Sequence, residues 1–219
     1  MKTALILGMS GLIGSKLTTI LLEDPYYSKV KVLVRHISLL EHPRLEQILY
    51  DYDQPDAAVL KADDVFCCLG TTMKKAGSKA AFIKVDKTYV LETASLLYNN
   101  GAKKFALISS IGAKSGSANF YSRVKGEVEE EIKKIGFETV IILRPSILLG
   151  KRNEFRFGEL LAKGLASALS FLIPDKYKGI DASKVAKWMF LKMQHENNGV
   201  YIYESDELQM NNIYEVLSG

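Results

Sequence analysis

A short apolar run, Thr3–Leu7, stops at a glycine and gives way at once to a stretch of helical character, Ile13–Glu23. The junction between them reads Gly8-Met9-Ser10-Gly11-Leu12-Ile13-Gly14. Each glycine has a separate physical use in a strand-to-helix turn of this kind. Gly8 permits the sharp turn, Gly11 lets the backbone approach a pyrophosphate, and Gly14 lets the helix lie close against the strand. The free amides of the helix start, around Ser10, Leu12 and Ile13, then face the phosphates with the helix dipole behind them. Such a triplet also occurs in ordinary turns. Its position, closing the first strand and opening the first helix, is what points to a dinucleotide.

The rest of the chain continues the same alternation. Strand candidates are Thr3–Leu7, Val30–Val34, Leu45–Asp51, Asp64–Cys68, Lys104–Ser109, Thr139–Leu143 and Val200–Tyr203. Several, such as Val140-Ile141-Ile142-Leu143, are continuously apolar, as strands covered on both faces must be. Helical stretches are Ile13–Glu23, Ala81–Asn99, Tyr121–Ile135, Phe157–Leu169 and Ser183–Gln194, the last with Asp181 placed as an N-cap. This predicts an α/β chain with a three-layer, doubly wound parallel sheet, the Rossmann arrangement. The length of 219 residues suits a single domain, 1–219, with roughly 147–219 contributing a small C-terminal substrate-side lobe.

The end of the second strand bears on which dinucleotide binds. A carboxylate there usually holds the ribose 2′-hydroxyl of NAD. Here Val32-Leu33-Val34 is followed by Arg35 and His36, with no acid before Glu41. An arginine pairs with a 2′-phosphate where a carboxylate would repel it, so NADP is the expected cofactor. NAD remains the alternative, with Arg35 then a solvated strand-end side chain.

A second constellation follows the fifth strand: Ser109-Ser110, then Tyr121-Ser122-Arg123-Val124-Lys125 at a helix start. Residues four apart share a helix face, so Tyr121 and Lys125 both reach one cleft. The Lys125 charge would favour the phenolate and let Tyr121 exchange a proton, while Ser110 would hydrogen-bond a carbonyl oxygen. Tyr27 and Lys31 have the same spacing, but they run into a predicted strand, where such residues stand far apart along the axis.

Together Gly8 to Gly14, Phe66-Cys67-Cys68-Leu69-Gly70-Thr71-Thr72, Val85-Asp86-Lys87-Thr88-Tyr89-Val90, Ser109-Ser110 and Tyr121 to Lys125 carry a resemblance. In this order they resemble the atypical short-chain dehydrogenase/reductases of the Tat-interacting-protein, oxidoreductase-like group, from Met1 to about Leu169. The resemblance implies that Asp51 and Tyr52 lie near the adenine and that Leu69, Gly70 and Thr71 pass beside the ribose and phosphates. It implies that Pro145, Ser146 and Ile147 close over the nicotinamide. Tyr121 and Lys125 take the catalytic places, Lys125 also holding the nicotinamide ribose. One departure stands out: Asp86 occupies the place of an asparagine that props a proton-relay water in conventional members.

Downstream, Gly150-Lys151-Arg152-Asn153-Glu154-Phe155-Arg156 lies where a substrate should enter. Arg152 and Arg156 there suit an anionic or phosphorylated small molecule, and the stretch reads equally as a solvated loop. The net charge of +4 is spread along the chain, without a dense basic block interleaved with aromatics, so nucleic acid is not the expected partner. No run approaches the ~18 apolar residues of a membrane span, and the start lacks the h-region and cleavage site of a signal peptide. His36, His42 and His195 offer no metal-ligand spacing. The adjacent thiols Cys67 and Cys68 are expected as packing residues, free in a reducing compartment, which reads as cytoplasmic. Trp188, Met189, Phe190 and Met193 read as a core stripe. A monomer or homodimer is expected.

Two classes of function fit. The first is an NADP-dependent oxidoreductase acting on a carbonyl or alcohol through Ser110, Tyr121 and Lys125. A nucleotide-sugar epimerase or dehydratase is its variant, for which the chain is short. The second is an NADP(H)-sensing regulatory protein without turnover.

Overall fold

The structure is a computed structural model that describes residues 2–150 and 174–210. Its first strand explains why continuous apolar runs occur in this chain. In β1 (Lys2–Leu7), Ala4, Leu5, Ile6 and Leu7 are all fully buried, yet alternate side chains enter different cores. Ala4 and Ile6 meet Leu17 and Leu21 of α1 (Leu12–Glu23) and Trp188 and Met189 of α6 (Ala182–His195). Leu5 and Leu7 meet Val90 and Leu97 of α4 (Tyr89–Asn99) and Val128 and Ile132 of α5 (Phe120–Ile135). A strand between two helical layers has no polar face to show, and the sequence obeys.

The other strands of the main sheet are β2 (Tyr27–Val34), β3 (Leu45–Leu49), β4 (Asp64–Cys67), β5 (Lys104–Ile108), β6 (Thr139–Arg144) and β9 (Gly199–Glu204). Seven parallel strands run in the order β3-β2-β1-β4-β5-β6-β9. This is the doubly wound Rossmann arrangement. The chain winds outward from β1 in both directions, so the topological switch lies between β1 and β4, where such sheets open their binding crevice.

Two elements after Ile147, the region expected to contribute a substrate-side lobe, belong to this three-layer body. Strand β9 extends the sheet beside β6, and α6 packs on α1. Asp181 caps α6 as the sequence indicated, its carboxylate accepting from Ser183 N. The two-residue pair β7 (Leu148–Leu149) with β8 (Ile180–Asp181), a 3-10 turn at Asp175–Tyr177 and the short α7 (Ser205–Gln209) make up the other described elements of this region. The helix expected over Phe157–Leu169 falls outside the described residues.

The helix expected over Ala81–Asn99 is divided. After a four-residue α2 (Met73–Ala76), α3 (Lys79–Ile83) runs into a π-turn, Lys84–Thr88, before α4 begins. Such π-turns are rare and concentrate at functional sites. This one carries Asp86.

Candidate functional site

All seven main strands are parallel, so their C-terminal ends share one edge of the sheet. The glycine turn follows β1, Arg35 follows β2, and Tyr50-Asp51-Tyr52 follow β3. Leu69-Gly70-Thr71 follow β4, Ser109-Ser110 follow β5, and Pro145-Ser146-Ile147 follow β6. The topology thus sets every described candidate along one rim, with Tyr121 and Lys125 entering from the first turns of α5. Arg152 and Arg156 lie outside the described residues.

The glycine turn is built as a cradle. Gly8 adopts φ +84°, and a Cβ there would stand 2.7 Å from the Cys68 carbonyl oxygen, so the ends of β1 and β4 touch backbone to backbone. A Cβ on Gly14 would lie 2.2 Å from the Gly8 oxygen, and one on Gly11 would lie 3.2 Å from the same atom. Gly11 N donates to that oxygen at 3.0 Å, which closes the turn. No side chain caps α1 and its first turn holds no acid, so nothing of the chain's own competes for the amides that an anionic group would take. The turn therefore fits a dinucleotide pyrophosphate.

At the adenosine end, Arg35 is exposed just past β2 and forms no ion pair among the described residues. Tyr52 is buried and stacks on Tyr89, ring centroids 5.1 Å apart, while Tyr89 Oη donates to Asp53 at 2.7 Å. Burial pushes the Tyr52 phenol up, and the nearby Arg35 charge pulls the other way. Asp51 is exposed and turns the chain by accepting from Asp53 N at 2.8 Å.

The centre of the site is a buried ion pair. Lys125 is 7% exposed and Asp86 1%, and Asp86 Oδ1 stands 2.7 Å from Lys125 Nζ. The other oxygen, Oδ2, accepts from Thr71 N at 2.7 Å. A Cβ on Gly70 would lie 3.2 Å from Asp86 Oδ1 and 3.7 Å from Lys125 Nζ, so the β4 loop crosses directly over the pair. Burial alone would lower the lysine; Asp86, with a smaller part from Tyr121, more than reverses this and holds it above its ordinary value. The same influence of Tyr121 on Lys125 places the two within electrostatic reach, as their spacing on α5 requires. Tyr121 is about one-third exposed and packs against the buried ring of Phe82 at 5.5 Å.

Ser110 is buried, and its hydroxyl makes no hydrogen bond among the described residues. A loop packed on α5 carries it. Lys114 N donates to Ser122 O at 3.0 Å, and a Cβ on Gly126 would collide with Ser115 N at 2.2 Å. Sequence reasoning passed over Gly126, although a glycine inside a helix is itself a signal of close backbone approach. It also passed over Glu129, one further turn along the face of Tyr121 and Lys125, and over Arg144, which pairs with it. The segment after β6 is tied down in turn. Ser146 N donates to Ser205 Oγ at 3.1 Å, Ser146 Oγ donates to Lys178 O, and Ile111 N donates to Pro145 O at 3.0 Å. Ile147 stays exposed.

Cys67 lies buried beneath this centre, and burial pushes its thiol up to about 12. Cys68 is pushed well above its ordinary value for the same reason, so the surroundings disfavour the thiolate at both positions. Among the described residues no cluster of histidine, cysteine or carboxylate groups could hold a metal ion, and no helix is long and apolar enough to cross a membrane.

No protein-family model matches the chain. Its relatives are more informative. Protein HTATIP2 of Rattus norvegicus is 38% identical over 182 residues, which span 80% of this chain and 73% of that protein. The chain belongs to the HTATIP2 family. Protein FMP52, mitochondrial, of Candida albicans is a further relative of this HTATIP2-family chain, 31% identical over 200 residues and 83% of each. The resemblance to the Tat-interacting-protein group thus holds. Solved structures agree on the fold. MoeE5 in complex with UDP-glucuronic acid and NAD superimposes with a TM-score of 0.72 at 16% identity, over 91% of this chain and 75% of that one. The UDP-N-acetylglucosamine 4-epimerase from Bacillus cereus gives 0.67 at 16%, over 100% and 83%.

The cytoplasmic expectation is overturned by the same relatives. The FMP52 proteins of Candida albicans, Emericella nidulans and Aspergillus fumigatus are all named mitochondrial. Free thiols separate reducing from oxidising surroundings but do not choose among reducing compartments, so Cys67 and Cys68 could not carry that inference.

Proposed function

We propose that this chain is an NADP-dependent oxidoreductase that exchanges hydride with a small carbonyl or alcohol substrate. The observation that carries the reading is the buried Lys125 ammonium, held by Asp86 directly under the β4 loop, with Tyr121 one turn away on the same helix. A bound nicotinamide dinucleotide would supply the hydride chemistry.

The chain's own groups divide the remaining work. Gly8, Gly11 and Gly14 would let the turn come close to the pyrophosphate, which would meet the free amides of the helix start around Ser10, Leu12 and Ile13. Arg35 would meet the 2′-phosphate, Asp51 and Tyr52 would flank the adenine, and Leu69 to Thr71 would line the ribose path. Pro145, Ser146 and Ile147 would cover the nicotinamide, and Lys125 would hold its ribose. Tyr121 Oη gives a proton to the substrate oxygen in reduction and takes one in oxidation, and the Ser110 hydroxyl donates a hydrogen bond to that oxygen. Its unpaired, buried hydroxyl supports this role, since a buried donor without a partner is costly unless a ligand meets it.

The test has two arms. A fluorescence titration should give tight NADPH binding and weaker NADH binding. In a panel of aldehydes and ketones, Tyr121→Phe should lower turnover by about 100-fold or more while leaving NADPH affinity unchanged. Binding of neither nucleotide would overturn the reading. Binding with no turnover across the panel would favour a cofactor-sensing protein, and turnover of nucleotide sugars alone would favour the epimerase type.

A further inference from the structure

A carboxylate at position 86 does something an asparagine there could not. One of its oxygens accepts from the Thr71 backbone N–H at 2.7 Å, and the other stands against the Lys125 ammonium, paired by charge at 2.7 Å. An asparagine has a single accepting oxygen, so its amide group would face either an N–H or an ammonium, donor against donor. The arrangement is therefore specific for aspartate.

The surroundings show what the carboxylate controls. Lys125 on α5 is met by Tyr121 from its own helix, by Cys67 from β4, by Asp86 from the π-turn, and by the backbone of Gly70 from the β4 loop. Cys67 is a neutral thiol and Tyr121 a phenol, so Asp86 is the one carboxylate among these groups. A buried lysine without a counter-ion loses up to ~3–5 pKa units to desolvation. Without Asp86 the ammonium would titrate within the working range of an enzyme. The same carboxylate fixes the β4 loop through Thr71, so the charge and the loop that covers it share one anchor.

We infer that Asp86 is the positioning residue of the cofactor site, pinning Lys125 and the Leu69–Thr71 loop to one another and keeping the ammonium charged, so that cofactor capture is insensitive to pH. The inference rests on the cofactor reading above. It also accounts for the departure from the asparagine-and-water relay of conventional relatives, because the place of that water's support is taken by a direct ion pair.

The experiment measures NADPH affinity by fluorescence against pH for the unaltered protein and for Asp86→Asn. The unaltered protein should hold a constant dissociation constant between about pH 7 and 9, since its lysine stays charged. The variant should bind about tenfold more weakly at the upper end of that range than at the lower, as the orphaned lysine loses its proton. A merely structural aspartate would weaken binding equally at every pH, and that result would overturn the inference. If the unaltered protein binds neither NADPH nor NADH, the cofactor reading fails and this inference with it; a pH-flat variant of a protein that does bind overturns this inference alone. Should Asp86→Asn not fold, Asp86→Asn/Lys125→Met decides instead. Removing both charges should restore a cooperative thermal transition that the single variant lacks. No recovery would show that Asp86 does not act through the Lys125 charge.

Discussion

Arg144 grips Glu129 with two nitrogens, Nη2 2.5 Å from Oε2 and Nε 3.0 Å from Oε1, across the seam between β6 and α5. Ser109 Oγ donates to the same Oε1 at 2.5 Å, and Arg144 Nη1 donates to Glu204 at 2.7 Å. The pair's neighbours in sequence are what make it consequential. Ser109 precedes Ser110, Arg144 precedes Pro145, and Glu129 stands one turn beyond Lys125. One ionic contact therefore joins the three segments that carry the candidate chemistry. Glu129→Gln keeps the bond to Ser109 but leaves the guanidinium short of a counter-charge in a site where Glu129 is 1% exposed. Breaking a buried pair in this way should cost about 3 kcal/mol in urea denaturation at neutral pH. A loss below about 1 kcal/mol would class the pair with exposed ones that contribute little.

Gly126 is expected to be as sensitive as any glycine of the cofactor turn. The atoms a methyl group would meet are backbone, Ser115 N at 2.2 Å and Lys114 C at 2.3 Å, and backbone cannot rotate away. Gly126→Ala should therefore push the 110–117 loop off α5, destabilising the fold by about 1–3 kcal/mol. It should also lower turnover, because Ser110 moves with the loop while Tyr121 stays on the helix. A variant with full stability and full turnover would show that the loop has another resting place.

How much of this was legible follows from where each constraint acts. Ala4-Leu5-Ile6-Leu7 announces a strand covered on both faces because each side chain has a core to enter, so the sheet could be read locally. The glycine turn is legible for the same reason: φ and close packing are demanded within one turn. The π-turn at Lys84–Thr88 is not: the Asp86 it carries pairs with a lysine on another helix, a contact outside any local pattern. The Glu129–Arg144 contact also depends on β6 lying beside α5, which no local pattern states. Strand β9 gives a weak signal because it is an edge strand. Val200 is half exposed there, and its hydrophobic face is short.

Acid sensitivity should be traceable in part to Glu196. Its carboxylate accepts from Tyr203 Oη at 2.5 Å and from Lys192 Nζ at 3.0 Å. Burial alone would raise it, but these two bonds together hold it below its ordinary value of 4.5. A carboxylate lowered by folding stabilises the native state fully above its unfolded value, and that stability fades as pH falls through the folded one. Glu196→Gln should thus cost about 1 kcal/mol at neutral pH, the worth of an ordinary hydrogen bond with charge partly screened. It should cost progressively less below about pH 4.5, where the native protein is losing the same interaction. Urea melts at a series of pH values check this. Parallel stability curves for the two proteins would exclude Glu196 from the acid limb.

Arg35 offers the sharpest separation between a binding role and a structural one. It is exposed past the end of β2, with no carboxylate paired to it among the described residues, so its loss should leave stability nearly untouched. If it meets a 2′-phosphate, Arg35→Ala removes a charge-assisted hydrogen bond worth about 1.5–3 kcal/mol, or roughly 10- to 100-fold in NADPH affinity. NADH lacks that phosphate, and its affinity should not change. Because the contact is solvent-exposed, the preference of the unaltered protein for NADPH should also shrink as salt rises, whereas the variant's should not. Equal losses for both nucleotides would assign Arg35 to the shape of the β2 end, and the choice of NADP over NAD would lose its support while the glycine turn kept its own.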